Sequence, residues 1–192
     1  MKSSTHIFFG VLLMALVIGL AGCSGRGGAT TMIDVDGYEQ AMAKFPGSTE
    51  AIDTGLERFQ STFHDLTAPD IADRFRDTYA ESLFFNDTLH TIDRLDDLAD
   101  YMAKTGANLS ESTVDVHQIV RDGSDVFVRW TMEFRTRAAG RNIHSHSIGM
   151  THLRFDEAGR VVLHQDFWDS GHALYAHLPI VGFAVRRARS AM

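Results

Sequence analysis

Apolar residues recur every three or four positions between Ser48 and Gly106, and every second position from Thr113 onward, so the chain reads as helices first and strands second. Ser48-Thr49-Glu50-Ala51 opens a helix that carries Ile52, Leu56, Phe59 and Phe63 on one side. Pro69 and Asp70 begin another, with Ile71, Phe75 and Tyr79 four apart. A short strand over residues 82–85 runs into a turn at Asn86-Asp87. Asp93 is placed to cap a third helix, whose Leu95, Leu98 and Met102 face inward before Gly106 ends it. Residues 31–47 show weak periodicity and read as loop with one helical turn at most.

Four strands are expected over residues 113–120, 125–136, 142–155 and 161–168, joined by Asp122-Gly123, Ala139-Gly140 and Ala158-Gly159 corners. The last two form a hairpin within 149–169, and a lone hairpin is marginal in water, so it needs a larger sheet beside it and apolar cover. Helices followed by an antiparallel meander predict an α+β fold with the helices on one face of a curved sheet. Residues 170–192 read as a helical tail: Leu174, Leu178 and Val181 are apolar, Pro179 breaks it, and Arg186, Arg187 and Arg189 make its end basic. That basic end is either a solvated helix terminus or a contact for anionic headgroups.

Composition changes the picture at the front of the chain. Lys2 precedes an apolar run over residues 7–20 that is too short to span a bilayer. Leu20-Ala21-Gly22-Cys23 follows and resembles the bacterial lipobox, which implies a signal peptide over 1–22, lipidation of Cys23, and a lipid anchor in the membrane. The alternative is an ordinary secretory signal; Cys23 is the single cysteine of the 192 residues, so no internal disulfide is possible. Ser24 after the cysteine, as in the outer-membrane lipoproteins it resembles, predicts a bacterial cell-envelope location facing the periplasm. Residues 24–31 are Gly-rich, and 23–47 reads as lipidated cysteine and flexible linker. Without residues 1–22 the count is 17 basic against 25 acidic side chains, a net of −8, which excludes nucleic acid as the expected partner.

Residues 48–169 resemble the SnoaL-like and ketosteroid-isomerase-like branch of the nuclear transport factor 2 superfamily. The residues that carry the resemblance are the helix ending Phe75 to Tyr79, the Phe84-Phe85-Asn86-Asp87 corner, the LRFDEAGRV hairpin and the Phe167-Trp168-Asp169 close. It implies a cone-shaped curved antiparallel sheet wrapped around the N-terminal helices, with a deep apolar pocket and the tail helix as a lid. Members include isomerases, dehydratases, cyclases, epoxide hydrolases and non-catalytic binders, so the fold does not give the function. By this resemblance Asp87 sits where isomerase-like members keep a carboxylate base, Phe63 where they place a tyrosine donor, and Thr151 where they place a protonated aspartic acid. The donors that would stabilise a dienolate are therefore mostly missing, and steroid isomerisation is not expected.

Strand alternation supplies the other candidates. If Thr151 faces the pocket, Ser145, Ser147, Gly149, Leu153 and Phe155 do too, while His144, His146, Met150 and His152 face away. The resemblance implies that Trp168 is the pocket aromatic of the family, and alternation then brings Val162, His164 and Asp166 inward with it. The expected catalytic set is Asp87, His164 and Asp166, an imidazole and two carboxylates able to divide acid and base roles; Tyr79, Phe85, Trp130, Thr151 and Trp168 are expected to line the ligand pocket. Each has a plainer reading: Asp87 as an Asx-type turn former, His164 and Asp166 as a satisfied polar pair. Asp169 is placed to cap the tail helix. His144, His146 and His152 share a strand face, but no carboxylate recurs at ligand spacing, so neither metal nor other cofactor is expected. Two functions stay open, binding of a small, largely apolar molecule or a cofactor-independent lyase, isomerase or cyclase. The outer sheet face with Phe127, Arg129 and Glu133 is a candidate homodimer surface.

Overall fold

Alternation in the second half of the chain builds the scaffold, and the helices between residues 52 and 107 fill its inner face. The structure, a computed structural model, describes residues 35–138, 140–177 and 179–191. The expected signal peptide, Cys23, most of the linker, Ala139 and Leu178 lie outside the described residues.

Helices α1 (Val35–Lys44), α2 (Ile52–His64) and α3 (Ile71–Thr78) lead into strand β1 (Tyr79–Asn86) and a short β2 (Thr91–Arg94). Helix α4 (Leu95–Ala107) precedes β3 (Leu109–Asp122), β4 (Asp125–Ala138), β5 (Arg141–Phe155) and β6 (Val161–Trp168). The tail holds a short helix α5 (Ser170–Ala173), a 3₁₀ turn (Tyr175–His177) and helix α6 (Pro179–Ser190). The strands form one curved, unclosed six-stranded sheet of order β2-β1-β6-β5-β4-β3, antiparallel except where β1 runs parallel to β6.

The expected core stripes are in place. Ile52, Leu56 and Phe59 of α2, Ile71 and Phe75 of α3, and Leu98 and Met102 of α4 pack against Val126, Val128 and Trp130 of β4 and Leu153 and Phe155 of β5. Gly55 permits a close approach of α2 to the sheet, because a Cβ there would lie 2.4 Å from the Phe155 ring.

Four local expectations are corrected. Residues 35–44 form a helix rather than loop: α1 buries a single apolar residue, Ala41, so hydrophobic periodicity does not reveal it. Asp93 lies in β2 and caps nothing; Arg94 precedes α4, with no side-chain cap bond. A bulge between Arg154 and Phe155 pairs Phe155 with Val161 and Leu153 with His164, so Val161 rather than Val162 enters the core. Pro179 opens α6 instead of breaking a helix, a position where its missing N–H costs nothing. Asp169 does cap α5, accepting from the His172 N–H at 2.9 Å, and also binds Arg189 Nη1 at 2.7 Å.

His152 faces away from the inner core, as alternation requires, yet it is buried, because α1 lies over that part of the outer face. Tyr38 Oη lies 2.6 Å from His152 Nδ1, and His152 Nε2 lies 2.7 Å from Asp125 Oδ1. Arg154 donates to Asp125 and to the Met42 and Phe45 carbonyls at 2.7 and 2.9 Å. The Phe127 ring stacks on His152 with centroids 4.6 Å apart.

Burial pushes the His152 imidazole below its ordinary value, outweighing the opposing pull of Asp125. Burial would raise Asp125, but hydrogen bonds from Arg154 and His152 outweigh it and hold the carboxyl below its usual range. With both native values depressed, the unfolded chain binds protons first, so stability falls as pH falls. The loss from His152 begins near the free imidazole value of 6.5, and that from Asp125 sets in below its free value of 3.8. Amide exchange at pH 5.0 and 7.5, corrected for intrinsic rates, is expected to show α1 losing protection at the lower pH before β5 and β6 do. Equal protection of α1 at both values would contradict this account of its docking.

Candidate functional site

The bent inner face of the sheet and helices α2 and α4 leave between them a cavity of about 410 Å³. Its walls are chiefly apolar and aromatic, with Phe59 and Phe63 from α2, Phe85 from β1, Tyr101 from α4, Trp130 from β4 and Trp168 from β6. Leu174, just after α5, is the tail's contribution to the lining.

Sheet register sets the polar end of this cavity. Trp130, Gly149 and Trp168 lie in one row across β4, β5 and β6, and Val128, Thr151 and Asp166 in the next. Gly149 separates the two indoles, whose centroids are 6.5 Å apart; a Cβ at 149 would stand 2.3 Å from the Trp130 ring. The row below sends two donor chains to one carboxylate oxygen. Trp130 Nε1 donates to Thr151 Oγ1 at 2.8 Å, and Thr151 Oγ1 donates to Asp166 Oδ1 at 2.5 Å. Tyr79 Oη lies 2.7 Å from His164 Nδ1, and His164 Nε2 lies 2.9 Å from Asp166 Oδ1.

The buried Tyr79 hydroxyl has no other acceptor among the described residues, so it donates to Nδ1 and leaves Nε2–H to donate to Asp166. Burial raises the Tyr79 hydroxyl well above its ordinary value, with the Asp166 charge acting in the same direction, so it keeps its proton. Both chains end on Oδ1. Oδ2 of Asp166 has no protein partner among the described residues, and the side chain, 13% exposed, lines the cavity.

Asp87 lines the same cavity but is otherwise occupied. Its Oδ1 accepts from the Leu89 and His90 amides at 2.8 and 2.7 Å, and its Oδ2 accepts from the Tyr101 hydroxyl at 2.5 Å. Trp168 Nε1 donates to the Asp87 carbonyl at 2.8 Å. The turn-forming reading of Asp87 therefore describes its bonds, while its charge still faces the cavity. Burial, reinforced by Asp87, raises the Tyr101 hydroxyl far above its usual value.

Phe85, Trp130, Thr151 and Trp168 stand on the lining as expected. Two expectations are corrected: Tyr79 and His164 are fully buried behind the wall. His164 is enclosed by the Phe59, Phe63, Phe85 and Tyr79 rings, with centroids 4.6 to 6.1 Å away. It acts on the cavity only through Asp166. Tyr101 was not among the candidates, although Leu98, Tyr101, Met102 and Thr105 follow helical spacing on one side of α4 and offered the signal. Phe63 brings no donor to the wall. His144 pairs with the exposed Glu133 at 2.5 Å, apart from His152, and no group of three possible metal ligands occurs among the described residues.

A curved, unclosed sheet packed over helices around an apolar cavity, with one carboxylate oxygen on its wall left unengaged, defines a nuclear transport factor 2-like domain. A sequence model of the SnoaL-like domain matches residues 56–164, more than half of the chain, and the protein belongs to that family. No curated protein matches it in sequence. A candidate SnoaL-like polyketide cyclase from Shewanella denitrificans OS-217 superposes with a TM-score of 0.53 at 16% identity, covering 60% of this chain and 90% of that one. Another from Jannaschia sp. CCS1 gives 0.51 at 16% identity, covering 65% and 89%. A protein of ketosteroid isomerase-like fold from Catenulispora acidiphila DSM 44928, in complex with trimethylamine, gives 0.53 at 14% identity, covering 62% and 88%. At these identities the likeness is one of fold.

Gly149→Ala tests the register of the two indoles. The added methyl must displace the Trp130 ring, and overpacking of this kind costs about 1–3 kcal/mol. Thermal unfolding should shift down accordingly, with a change in the near-ultraviolet dichroism of tryptophan; an unchanged spectrum would mean that Trp130 does not lie across position 149.

Proposed function

We propose that the protein binds a small, largely apolar molecule in the cavity between α2, α4 and the sheet, and that a lipid on Cys23 tethers it to the bacterial envelope, at the outer membrane. The observation that carries the binding reading is the cavity itself: about 410 Å³ lined chiefly by aromatic and aliphatic side chains, with Asp166 Oδ2 unengaged among the described residues. Apolar walls supply affinity by area, and a single polar anchor fixes orientation.

A second reading is proton transfer by a cofactor-independent lyase, isomerase or cyclase. What favours it is the asymmetry of Asp166, whose Oδ1 is supplied by Thr151 and His164 while Oδ2 is free to accept a substrate proton. In that chemistry His164 and Tyr79 are positioning residues. No side-chain donor from the Phe63 position is available for an oxyanion, so enolate-forming steps lack their usual partner.

Mass spectrometry of small molecules co-purifying with the delipidated domain, repeated on Asp166→Asn, separates the two readings. The binding reading expects the same molecule in both preparations, with no converted form; a product present with Asp166 and missing with Asn would establish turnover instead. The tether is tested by Cys23→Ser, which is expected to move the protein from the membrane to the soluble envelope fraction. Membrane association that survives the substitution would remove the lipid anchor. Dimerisation through the outer sheet face stays a proposal, which a sedimentation measurement of monomer alone would end.

A further inference from the structure

Asp87 and Asp166 both stand on the cavity lining, where the one basic side chain is the exposed His90 imidazole; no lysine or arginine stands there, among the described residues. The side-chain donors nearest the acid end are already engaged: Trp130 with Thr151, Thr151 with Asp166, Tyr101 with Asp87, and Trp168 with the Asp87 carbonyl. An anionic ligand would meet two carboxylates and no free donor from these groups. A neutral apolar ligand would leave Asp166 Oδ2 desolvated and unpaired, which is unfavourable for a charged oxygen away from water.

Taking the cavity as the binding site, as proposed above, we infer that its ligand carries a positively charged nitrogen on an apolar body. The nitrogen sits against Asp166 Oδ2, beside the Trp130 and Trp168 indoles, with Asp87 adding to the field. Three features act together. Oδ2 accepts from, or pairs with, the cation. The aromatic rings with their N–H groups turned to internal partners offer π-electron density to a cation, and desolvation strengthens that attraction. With Tyr79 on its Nδ1, His164 holds Asp166 Oδ1 through Nε2 and leaves Oδ2 for the ligand.

The test uses three probes that share one apolar body and differ in head group: 4-phenylbutylamine, 4-phenylbutanol and 4-phenylbutyrate at neutral pH. Both tryptophans of the chain lie on the cavity wall, so intrinsic fluorescence reports its occupancy, and calorimetry gives the affinities. The amine is expected to bind about tenfold more tightly than the alcohol, with the carboxylate weakest. In Asp166→Asn, where the amide oxygen can still accept from Thr151 and His164, amine and alcohol should bind alike and the alcohol should keep its wild-type affinity, which also reports that the variant is folded. An alcohol or carboxylate that binds as well as the amine to the wild-type chain would overturn the cationic ligand while leaving the pocket intact. An amine preference that survives in Asp166→Asn would overturn the role of Asp166. Failure of all three probes to perturb the tryptophans or release heat would remove the pocket reading, and the cationic ligand with it.

Discussion

A carboxylate set in an apolar cavity is costly to desolvate, by several kcal/mol unless donors reach it, and the donor chains that reach Asp166 are drawn from four strands of the sheet. Thr151 stands opposite on β5, and Trp130 stands behind Thr151 on β4. His164 shares the strand, and Tyr79 reaches it from the start of β1. Four side chains on four strands thus converge on a single oxygen atom. The arrangement requires the sheet to pair in one register, because a slip of one residue would turn every member of the set to the opposite face.

The same sheet carries a second set of like composition on its outer side. Tyr38, His152 and Asp125 repeat the order of Tyr79, His164 and Asp166, but their setting gives them another task. The inner set ends on a carboxylate that lines the cavity and keeps its second oxygen, so it presents an acceptor there. In the outer set Arg154 binds Asp125 and reaches back to the α1 backbone, which closes the set on itself and fastens a helix with little apolar surface. Whether such a trio is a site or a clasp depends on what stands beyond the acid.

Much of this was legible from residue order. The hairpin of β5 and β6 and the inward stripes of α2, α3 and α4 follow from periods of two and of three to four, and the inward placement of Asp166 follows from alternation once the resemblance sets Trp168 inward. What periodicity missed is instructive. Helix α1 is held by hydrogen bonds from residues more than a hundred positions away, and its single buried apolar residue leaves no stripe. The bulge that substitutes Val161 for Val162 is a local break in alternation that an apolar pair cannot disclose, since valine suits either face.

The linear chain determined the class of fold, the face to which strand residues point away from the bulge between β5 and β6, and the loss of most of the donors that the resemblance would place around the pocket. Only the folded molecule decided that His164 and Tyr79 stand behind the wall, that the oxygens of Asp87 are taken by its own turn and Tyr101, and that Asp166 keeps one oxygen unengaged. The reason is physical: alternation fixes direction through local backbone geometry, whereas depth and hydrogen-bond partnership depend on which distant groups arrive at the same place, and that is a property of packing.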